Sequence, residues 1–444
     1  MSLTRRDALR LSIAGYLSVL AGKAQAQALS GTKVIVVGAG LSGLAAARDL
    51  QANGAEVIVV EAGQRIGGRV HTDMSMGAPF EFGAGWIHGP SRHNPTQQLA
   101  QQVKARTVIT DDESLDVFTS DGADLSDDDY ERLEEMYEAL EDLLYDPDVS
   151  EAFSVKQMLA DRAPDLLRDP ISRWMLSAFF EFDIGAGIED ISAANGFASE
   201  EFSGEDVVFV NGYDAILAPL AEGLDIRLSS PVTEISQDAT GVRINGIDAD
   251  YAVCTVPLGV LKSGAIAFDP PLPGDLQQAI ARTGFGSVTK IALKFDTPFW
   301  DVDTQYFGMM TDPKGRWNYW LNYRTFSDEN ILLGLSVGNY ALVADRMSEA
   351  EKTDDALDVL RSVWGSDVGT PRMVLSTRWS QDPLFYGAYS YAKAGGSLSQ
   401  IDVFHKPIGG RVFMAGEHTS REYWGTTHGA ILSGRRVAKA ILSL

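Results

Sequence analysis

The sequence contains a single cysteine, Cys254, and only 6 histidines among its 444 residues. One thiol cannot form an intramolecular disulfide or supply a cysteine-based metal site, and we expect no metal ion in this protein. Beyond the first 26 residues, the sequence also lacks any apolar run that approaches the roughly 20 uninterrupted residues of a membrane-spanning helix. These absences argue against a disulfide scaffold, a cysteine-ligated metal protein and an integral membrane protein.

Basic residues are scarce as well. The chain has 37 Lys and Arg residues against 61 Asp and Glu residues, which gives a formal net charge of −24. Such a charge repels nucleic acid and attracts cations, so we expect no nucleic-acid partner. A chain of this length is too long for one simple core, and two closely packed domains are the expectation.

The first residues have the pattern of an export signal. Arg5 and Arg6 precede an apolar stretch over residues 11–21, and Ala24-Gln25-Ala26 suits cleavage. An arginine pair in this setting resembles a twin-arginine leader. We therefore predict that residues 1–26 are an export signal and that the protein is periplasmic or secreted. The alternative is a basic helix of the mature protein.

Residues 32–62 read TKVIVVGAGLSGLAAARDLQANGAEVIVVEA. This pattern predicts a strand, a tight turn, a helix, a second strand and an acid, which together bind the pyrophosphate of a dinucleotide. Gly38 permits the turn, Gly40 lets the backbone approach the pyrophosphate, and Gly43 lets the helix pack on the strand. Glu61 is predicted to accept hydrogen bonds from a ribose hydroxyl.

Two further segments resemble the flavin-containing amine oxidase superfamily. The segment GQRIGGRV follows the acid, and RVFMAGEHTSREYWGTTHGAILSGRRVAK covers residues 411–439. The resemblance implies FAD as the cofactor, and it implies non-covalent binding because Ala388 stands where monoamine oxidases carry a flavin-linking cysteine. It also implies cofactor contacts at Arg65, Gly68, Arg69, Gly85, Trp86, Gly416, Glu417, Thr426 and Thr427.

The same resemblance implies an α/β fold. A Rossmann-like FAD-binding domain, marked by the GxGxxG turn, is expected over residues 30–95, 200–284 and 380–444. A discontinuous α+β substrate-binding domain is expected over residues 96–199 and 285–379.

Two elements of the expected substrate-binding domain can be assigned from periodicity. Ser126 is the predicted N-cap of a helix with acids in its first turn. That helix buries one apolar stripe, which consists of Leu133, Met136, Tyr137, Leu140 and Leu144. The segment SVTKIALKFD, residues 287–296, alternates apolar and polar residues and predicts a strand.

The segment GAGWIHGPSRHNP is similar to a motif of animal and plant polyamine oxidases, where its histidine lies in the substrate tunnel. We therefore predict that Trp86 and His88 line a substrate tunnel. The alternative for His88 is a structural histidine, which is the more frequent role of a lone histidine. Glu181, in FFEFDIGAG, matches a tunnel carboxylate of the same family, and the end of an exposed amphipathic helix is an equal alternative. Glu200 and Glu201 are further candidates.

Four more residues are candidates for the chemistry. By periodicity alone Lys290 is an ordinary exposed strand lysine, whereas the resemblance implies that it holds a water against flavin N5 and assists reoxidation by oxygen. Tyr389 and Thr426 are implied as the two walls in front of the flavin, with Trp379 beside them. A threonine at the second wall resembles acetylpolyamine oxidases and flavin histone demethylases more than monoamine oxidases.

The chemistry of amine oxidation constrains the charges. A hydride equivalent leaves the carbon next to a neutral nitrogen, whereas an alkylamine has a pKa of ~10.4 and each pKa unit costs about 1.36 kcal/mol. A neighbouring carboxylate would increase that cost by favouring the ammonium form. We therefore predict an FAD-dependent amine oxidase for polyamines or N-acetylpolyamines, whose distant nitrogens stay protonated. Its products would be an imine, then an aldehyde, and hydrogen peroxide from oxygen.

Other functions remain open at this stage. An L-amino-acid or alkaloid-type amine oxidase or dehydrogenase of the same superfamily would need an arginine for a substrate carboxylate, and Arg173, Arg316 and Arg324 are candidates. A flavin-binding or electron-transfer protein without oxidase turnover is a further alternative. The electron acceptor could be oxygen or a carrier.

Overall fold

The computed structural model describes residues 29–145 and 148–444. The predicted export signal, residues 1–26, lies outside the described residues. The strands of the described chain, in order, are β1 (Lys33–Val37), β2 (Glu56–Val60), β3 (Thr72–Asp73), β4 (Phe80–Glu81), β5 (Trp86–Ile87), β6 (Thr107–Ile109), β7 (Leu115–Phe118), β8 (Val207–Phe209), β9 (Asp225–Arg227), β10 (Glu234–Gln237), β11 (Val242–Ile244), β12 (Ile247–Ala249), β13 (Tyr251–Cys254), β14 (Ala267–Asp269), β15 (Gly284–Phe285), β16 (Thr289–Lys294), β17 (Tyr306–Met309), β18 (Tyr319–Asn322), β19 (Ile331–Ser336), β20 (Met373–Ser376), β21 (Ser390–Tyr391) and β22 (Val412–Met414).

The α-helices of the same residues are α1 (Leu41–Ala52), α2 (Pro95–Gln102), α3 (Asp127–Leu144), α4 (Val155–Arg162), α5 (Pro170–Met175), α6 (Phe182–Ile184), α7 (Ala218–Ala221), α8 (Leu258–Ser263), α9 (Gly274–Arg282), α10 (Gly338–Ala344), α11 (Glu349–Trp364) and α12 (Thr427–Leu442). A π-helix over Leu176–Glu181 joins α5 to α6. Short 3-10 turns lie at Tyr213–Leu217, Tyr323–Thr325, Gly365–Asp367, Trp379–Gln381, Leu398–His405 and Glu417–Thr419.

A parallel sheet with strand order β22-β13-β1-β2-β9 forms one half of the molecule. Its central strand β1 is buried on both faces, as parallel strands usually are. Val34 and Val36 pack with α1 and α12 on one face. Ile35 and Val37 pack on the other face, toward the sheet β12-β11-β10-β14. The apolar run that predicted a strand is therefore a strand covered on both sides.

Helices α1 and α12 lie against each other at short range. A Cβ added to Gly434 would stand 2.2 Å from the Ser42 carbonyl oxygen, so only glycine fits there. The hydroxyl oxygens of Ser42 and Ser433 are 3.0 Å apart. This contact fixes the last described helix to the helix that follows the glycine turn.

A second sheet has the order β20-β16-β19-β18-β17-β7. Its neighbouring strands are antiparallel except for the parallel pair β17 and β7. One face packs on α3 to α5 and the π-helix, and the other packs on α11. Residues from Thr289 to Leu293 in β16 are all buried. The interpretation of Lys290 as an exposed strand lysine is therefore wrong, because this strand has protein on both faces.

The predicted acidic helix is confirmed as α3. The Ser126 side chain caps it by accepting a hydrogen bond from Asp129 N at 3.2 Å. Leu140 and Leu144 lie in the core, while most of the helix faces outward. The mixed α/β class is also confirmed, whereas the division into two domains at the predicted boundaries stays a prediction. In residues 29–145 and 148–444, no helix has both the length and the apolar character needed to span a membrane.

Candidate active site

The turn between β1 and α1 is built so that only glycine fits at two positions. Gly38 has a φ of +104°, and a Cβ there would stand 2.6 Å from Thr255 Oγ1. A Cβ on Gly43 would stand 2.0 Å from the Gly38 carbonyl oxygen. At Gly40, in contrast, the nearest atom to an added Cβ is 3.9 Å away. The backbone at Gly40 is thus open to a ligand, and the N-terminus of α1 has no side-chain cap to compete with an anion.

Glu61 follows β2 at the mouth of this turn. Its Oε2 accepts a hydrogen bond from Ala39 N at 2.8 Å, and its Oε1 accepts one from Gly63 N at 2.7 Å. A carboxylate oxygen has two lone pairs, so each oxygen keeps one for a further donor. The predicted ribose contact is compatible with this geometry and stays a prediction.

The second glycine turn is organised by two arginines. Arg65 donates to the carbonyl oxygens of Ile66, Gly68 and Val70, so its guanidinium holds the turn in shape. Arg69 Nη1 donates to the Ala388 carbonyl oxygen at 2.6 Å. Contacts of either arginine with the cofactor stay predictions.

Glu417 links three separate segments of the site. Its Oε1 accepts from Arg69 Nη1 at 2.8 Å, and its Oε2 accepts from Gly425 N at 2.9 Å and from Ser390 Oγ at 2.5 Å. Burial raises the pKa of Glu417, but the charge of Arg69 and the hydrogen bonds outweigh it, so the pKa lies below its usual value. The preceding Gly416 has a φ of +135°, and its N donates to Ser433 Oγ at 2.9 Å. Glu417 is thus an ionised, buried carboxylate that connects three segments of the site.

The two predicted walls lie on neighbouring segments. A Cβ on Gly425 would stand 3.5 Å from Tyr389 Cδ2, and Thr426 is the next residue. The Tyr389 hydroxyl donates to the Phe182 carbonyl oxygen at 2.6 Å. Thr426 Oγ1 accepts from Gly429 N at 2.9 Å and so caps α12. The structure therefore brings this predicted pair together.

Two other predicted site residues, Thr427 and Trp379, form hydrogen bonds with neighbouring segments. Thr427 Oγ1 lies 2.9 Å from the Tyr213 hydroxyl and 3.1 Å from Thr96 Oγ1. Trp379 Nε1 donates to the Phe82 carbonyl oxygen at 2.9 Å. Phe82 belongs to the loop that also carries Trp86, so Trp379 fixes that loop from the other side.

Lys290 reaches the same loop from the antiparallel sheet. Its side chain is only 6% exposed, and Nζ donates to the carbonyl oxygens of Glu81 at 3.1 Å and Gly83 at 2.6 Å. Nζ also lies 5.6 Å from the centroid of the Trp86 ring, and a Cβ on Gly85 would stand 3.5 Å from it. Burial lowers the pKa of Lys290 to about 8, against the opposing charge of Glu81.

His88 follows this loop and has acids around it. It is 55% exposed, and its Nδ1 lies 2.5 Å from Asp206 Oδ2. Desolvation by the surrounding protein lowers the pKa of His88, but the hydrogen bond that Asp206 accepts and the charges of Asp206, Asp183 and Glu201 outweigh it, so the pKa is raised. Desolvation by the surrounding protein raises the pKa of Asp183 to about 7; the charge of His88 lowers it, and those of Glu201, Asp206 and Asp112 raise it further. We call Asp112, Asp183, Glu201 and Asp206 the carboxylate cluster.

Glu181 does not belong to the carboxylate cluster. Its side chain is 1% exposed, its Oε1 forms an ion pair with Lys314 Nζ at 2.6 Å, and Ile188 N donates to the same oxygen at 2.8 Å. Burial raises the pKa of Glu181 despite the cation. The alternative of an exposed helix end is therefore wrong, whereas the role of Glu181 as a tunnel carboxylate stays a prediction. Asp183, two residues further on in α6, is a carboxylate whose charge acts on His88, and the family match at FFEFDIGAG did not select it.

Sequence reasoning also missed the partners of His88. Asp206 lies 118 positions from it, and the sequence gives no local signal of the pairing. Of the other candidates, Glu200 Oε2 accepts from the Tyr423 hydroxyl at 3.3 Å. His428, in the first turn of α12, is buried with its Nε2 unpaired, and burial lowers its pKa to about 3.

A dinucleotide-type glycine turn and a buried lysine beside aromatic side chains are compatible with a flavin-dependent oxidoreductase. The glycine turn between β1 and α1, the uncapped N-terminus of α1 and Glu61 fit the cofactor FAD. A sequence model described as Flavin containing amine oxidoreductase matches residues 41–442. The chain therefore belongs to the flavin-containing amine oxidoreductase family.

Individual relatives agree with this assignment. The chain is 33% identical over 438 residues to polyamine oxidase 4 of Oryza sativa subsp. japonica, which covers 92% of this chain and 88% of that protein. It is 34% identical over 445 residues to lysine-specific histone demethylase 1 homolog 1 of Arabidopsis thaliana, over 92% of this chain and 52% of that protein. Solved structures of putrescine oxidase are similar in fold. One of them, bound to putrescine, has a TM-score of 0.77 at 21% identity and covers 93% of this chain and 99% of that chain.

These findings establish the enzyme class. The protein is a flavin-dependent amine oxidoreductase, its cofactor is FAD, and its family acts on small-molecule amines.

Proposed function

We propose that this enzyme oxidises polyamines, free or N-acetylated, and reduces oxygen to hydrogen peroxide. A carbon–nitrogen single bond becomes an imine as it loses two electrons and two protons, which oxygen takes up. Water then hydrolyses the imine to an aldehyde and a shorter amine. FAD, when bound, supplies the acceptor for the hydride equivalent.

The observation that carries this proposal is the carboxylate cluster around His88. Four acids that act on one another and on one histidine favour a ligand with several ammonium groups. A polyamine keeps distant nitrogens protonated while the reacting nitrogen is neutral, and a simple monoamine has no second nitrogen for the cluster. The relatives named as polyamine oxidases support the same substrate class.

The residues of this chain have separate roles in the proposal. Tyr389, Thr426 and Trp379 would enclose the reacting carbon and nitrogen, and His88 with the carboxylate cluster would line the part of the tunnel that holds the distant, protonated nitrogens. Lys290 would hold a water beside the cofactor and favour the negative charge that develops when oxygen is reduced. This role of Lys290 supports oxygen as the acceptor over an electron carrier.

The test is a peroxide assay of the purified enzyme with spermidine, spermine, acetylspermine, a monoamine and common amino acids. We expect kcat/KM to be highest for a polyamine. A preference for an amino acid would favour the amino-acid oxidase. Amine oxidation with an artificial acceptor but without peroxide would favour a dehydrogenase. Reduction by no amine would favour a binding or electron-transfer flavoprotein.

Two of the three candidate arginines for an amino-acid substrate have other partners, and the third is exposed. Arg316 forms an ion pair with Asp355 at 2.7 Å, and Arg324 donates to the Asp328 carbonyl oxygen at 2.6 Å. Arg173 is exposed on α5. These contacts favour the polyamine.

We also propose that FAD is held non-covalently in a Rossmann-like domain formed by the parallel sheet. Ala388 offers no thiol, and Cys254, the one cysteine of the chain, lies in β13, where burial raises its pKa to about 11. Acid precipitation should release all of the yellow colour into the supernatant. Colour that stays with the precipitated protein would contradict this.

Finally, we propose that residues 1–26 direct export by a twin-arginine route to the periplasm or beyond. Fusing them to a folded reporter tests the proposal. The reporter should be exported, and replacement of Arg5 and Arg6 by lysine should retain it in the cytoplasm.

A further inference from the structure

The main-chain contacts of Lys290 determine which of its N–H groups changes when the side chain loses a proton. Its Nζ donates to the carbonyl oxygens of Glu81 and Gly83. A lysine ammonium has three N–H donors, and the neutral amine has two and a lone pair. Both main-chain bonds can therefore persist when Lys290 loses a proton. Only the third position on Nζ then changes, from a donor to an acceptor.

Space for a water lies beside this group. A cavity lined by Lys290, Glu81, Gly85, Trp86 and the Tyr323 phenol, among others, leaves about 20 Å³ for the centre of a water-sized sphere. A volume of that size holds one water. Lys290 and Glu81 thus line the same small cavity.

The Glu81 carboxylate is held firmly in the interior. It is 6% exposed, its Oε2 accepts from Thr72 Oγ1 at 2.7 Å, and its Oε1 accepts from Tyr213 N at 2.8 Å. Neither donor carries a charge. The hydrogen bonds therefore fix the position of the carboxylate without neutralising it, and Lys290 is the cation that acts on it.

The charges of the two groups are coupled near neutral pH. Burial raises the pKa of Glu81 to about 7, while the bonds from Thr72 and Tyr213 and the charge of Lys290 lower it and Asp214 raises it further. Glu81 is likewise the charge that opposes the effect of burial on the pKa of Lys290.

We propose that Glu81 is a positioning residue for the third proton of Lys290: the ionised carboxylate keeps that proton on Nζ, next to the water-sized cavity. The proposal rests on the proposed role of Lys290 in the reaction with oxygen. Glutamine fits at this position, since its amide oxygen can accept from Tyr213 N and its amide NH₂ can donate to Thr72 Oγ1. Glu81→Gln thus removes the charge and retains the packing.

The first test uses the apoprotein and needs no catalysis. Infrared difference spectra of wild type against Glu81→Gln isolate the carboxylic acid band of Glu81 during a pH titration. We expect Lys290→Met to move its midpoint to higher pH by on the order of 1 unit, because the ionised carboxylate loses its cation. Glu329→Gln is the matched control, since it removes a carboxylate that pairs with Lys294 on the same strand. It should leave the midpoint unchanged.

An unchanged midpoint in Lys290→Met, in a variant with native near-UV circular dichroism, would overturn the proposal. So would a shift of equal size in Glu329→Gln.

The second test follows the reaction of the reduced holoenzyme with oxygen by stopped flow. In Glu81→Gln the midpoint of the pH profile should move to lower pH, because Lys290 loses the anion that favours its charged form. The same shift in a Lys290→Met background would mean that Glu81 acts without Lys290 and would overturn the proposal. If Lys290→Met alone leaves the oxygen reaction unchanged, the proposed role of Lys290 fails, and the infrared titration still decides the coupling.

Discussion

Arg69 and Glu417 lie 348 positions apart in the sequence and form a largely buried ion pair of 2.8 Å. The other oxygen of Glu417 accepts from Ser390 and from Gly425. Ser390 follows Tyr389, one of the proposed walls of the site. A single carboxylate therefore joins the second glycine turn to the segments that carry both proposed walls.

We predict that Glu417→Gln lowers the free energy of unfolding by roughly 3 kcal/mol, because Arg69 is left as a partly buried charge without a partner. Urea unfolding of the purified protein measures this. Glu56→Gln is the control, since its pair with Lys33 is exposed and spans 3.9 Å, and it should change stability by less than about 1 kcal/mol. Equal losses in the two variants would contradict the prediction.

Gly40 and Gly43 should respond differently to alanine. An added Cβ clashes with the Gly38 carbonyl oxygen at Gly43 but meets open space at Gly40, whose φ of −76° also suits alanine. We expect Gly40→Ala to fold with a wild-type Tm as apoprotein and to bind FAD about tenfold more weakly or worse, a loss of ~1.4 kcal/mol. Gly43→Ala should fail to fold stably. Thermal denaturation and FAD titration measure both, and normal FAD affinity in Gly40→Ala would show that the cofactor does not approach this backbone.

Substitutions of Glu181 and Asp183 should have different effects: the first should lower stability, and the second should weaken substrate binding. Glu181→Gln leaves Lys314 without its anion, so we expect a loss of roughly 3 kcal/mol in the free energy of unfolding and no change in KM. Asp183→Asn should raise KM for spermidine on the order of fivefold, the equivalent of ~1 kcal/mol for a partly screened contact, with little change in stability. Steady-state kinetics and urea unfolding of both variants measure this. The opposite pattern would favour Glu181 as the substrate carboxylate.

The KM for a polyamine should depend on pH. As the pH falls through about 7, Asp183 gains a proton and loses the charge that attracts an ammonium group. His88, whose pKa is raised above its usual value by Asp206 against the effect of burial, gains a positive charge in the same direction of pH. We therefore expect KM to rise toward acid pH and the rise to be shallower in Asp183→Asn. A KM that stays flat between about pH 6 and about pH 8 would refute this.

The sequence predicts those elements that are specified by residues close together along the chain. The strand, glycine turn and helix over 33–52 follow from periodicity and from the clash at Gly43, and the cap at Ser126 follows from its acids. The burial of Lys290 was harder to predict, because alternation of apolar and polar residues indicates a strand with one exposed face. It cannot reveal a strand that is covered on both faces. Its functional interpretation came from the family resemblance.

The carboxylate cluster shows why the rest could not be predicted. Asp206 meets His88 across more than a hundred positions, and such a pairing leaves no periodic trace. The choice between Glu181 and Asp183 depends on the π-helix over Leu176–Glu181, where side-chain directions differ from those of an α-helix. The family match selected Glu181, whereas the charge of Asp183 acts on His88, and which acid meets the substrate stays a prediction.

The parallel sheet has a consequence for how the enzyme acquires its flavin. The strands β1 and β2 are made early in synthesis, but β22 and α12, which complete the sheet and cover α1, come from residues 412–442. A nascent chain still short of those residues exposes the faces that they bury. We therefore expect the FAD-binding half of the molecule to be complete only after residues 412–442 have been synthesised.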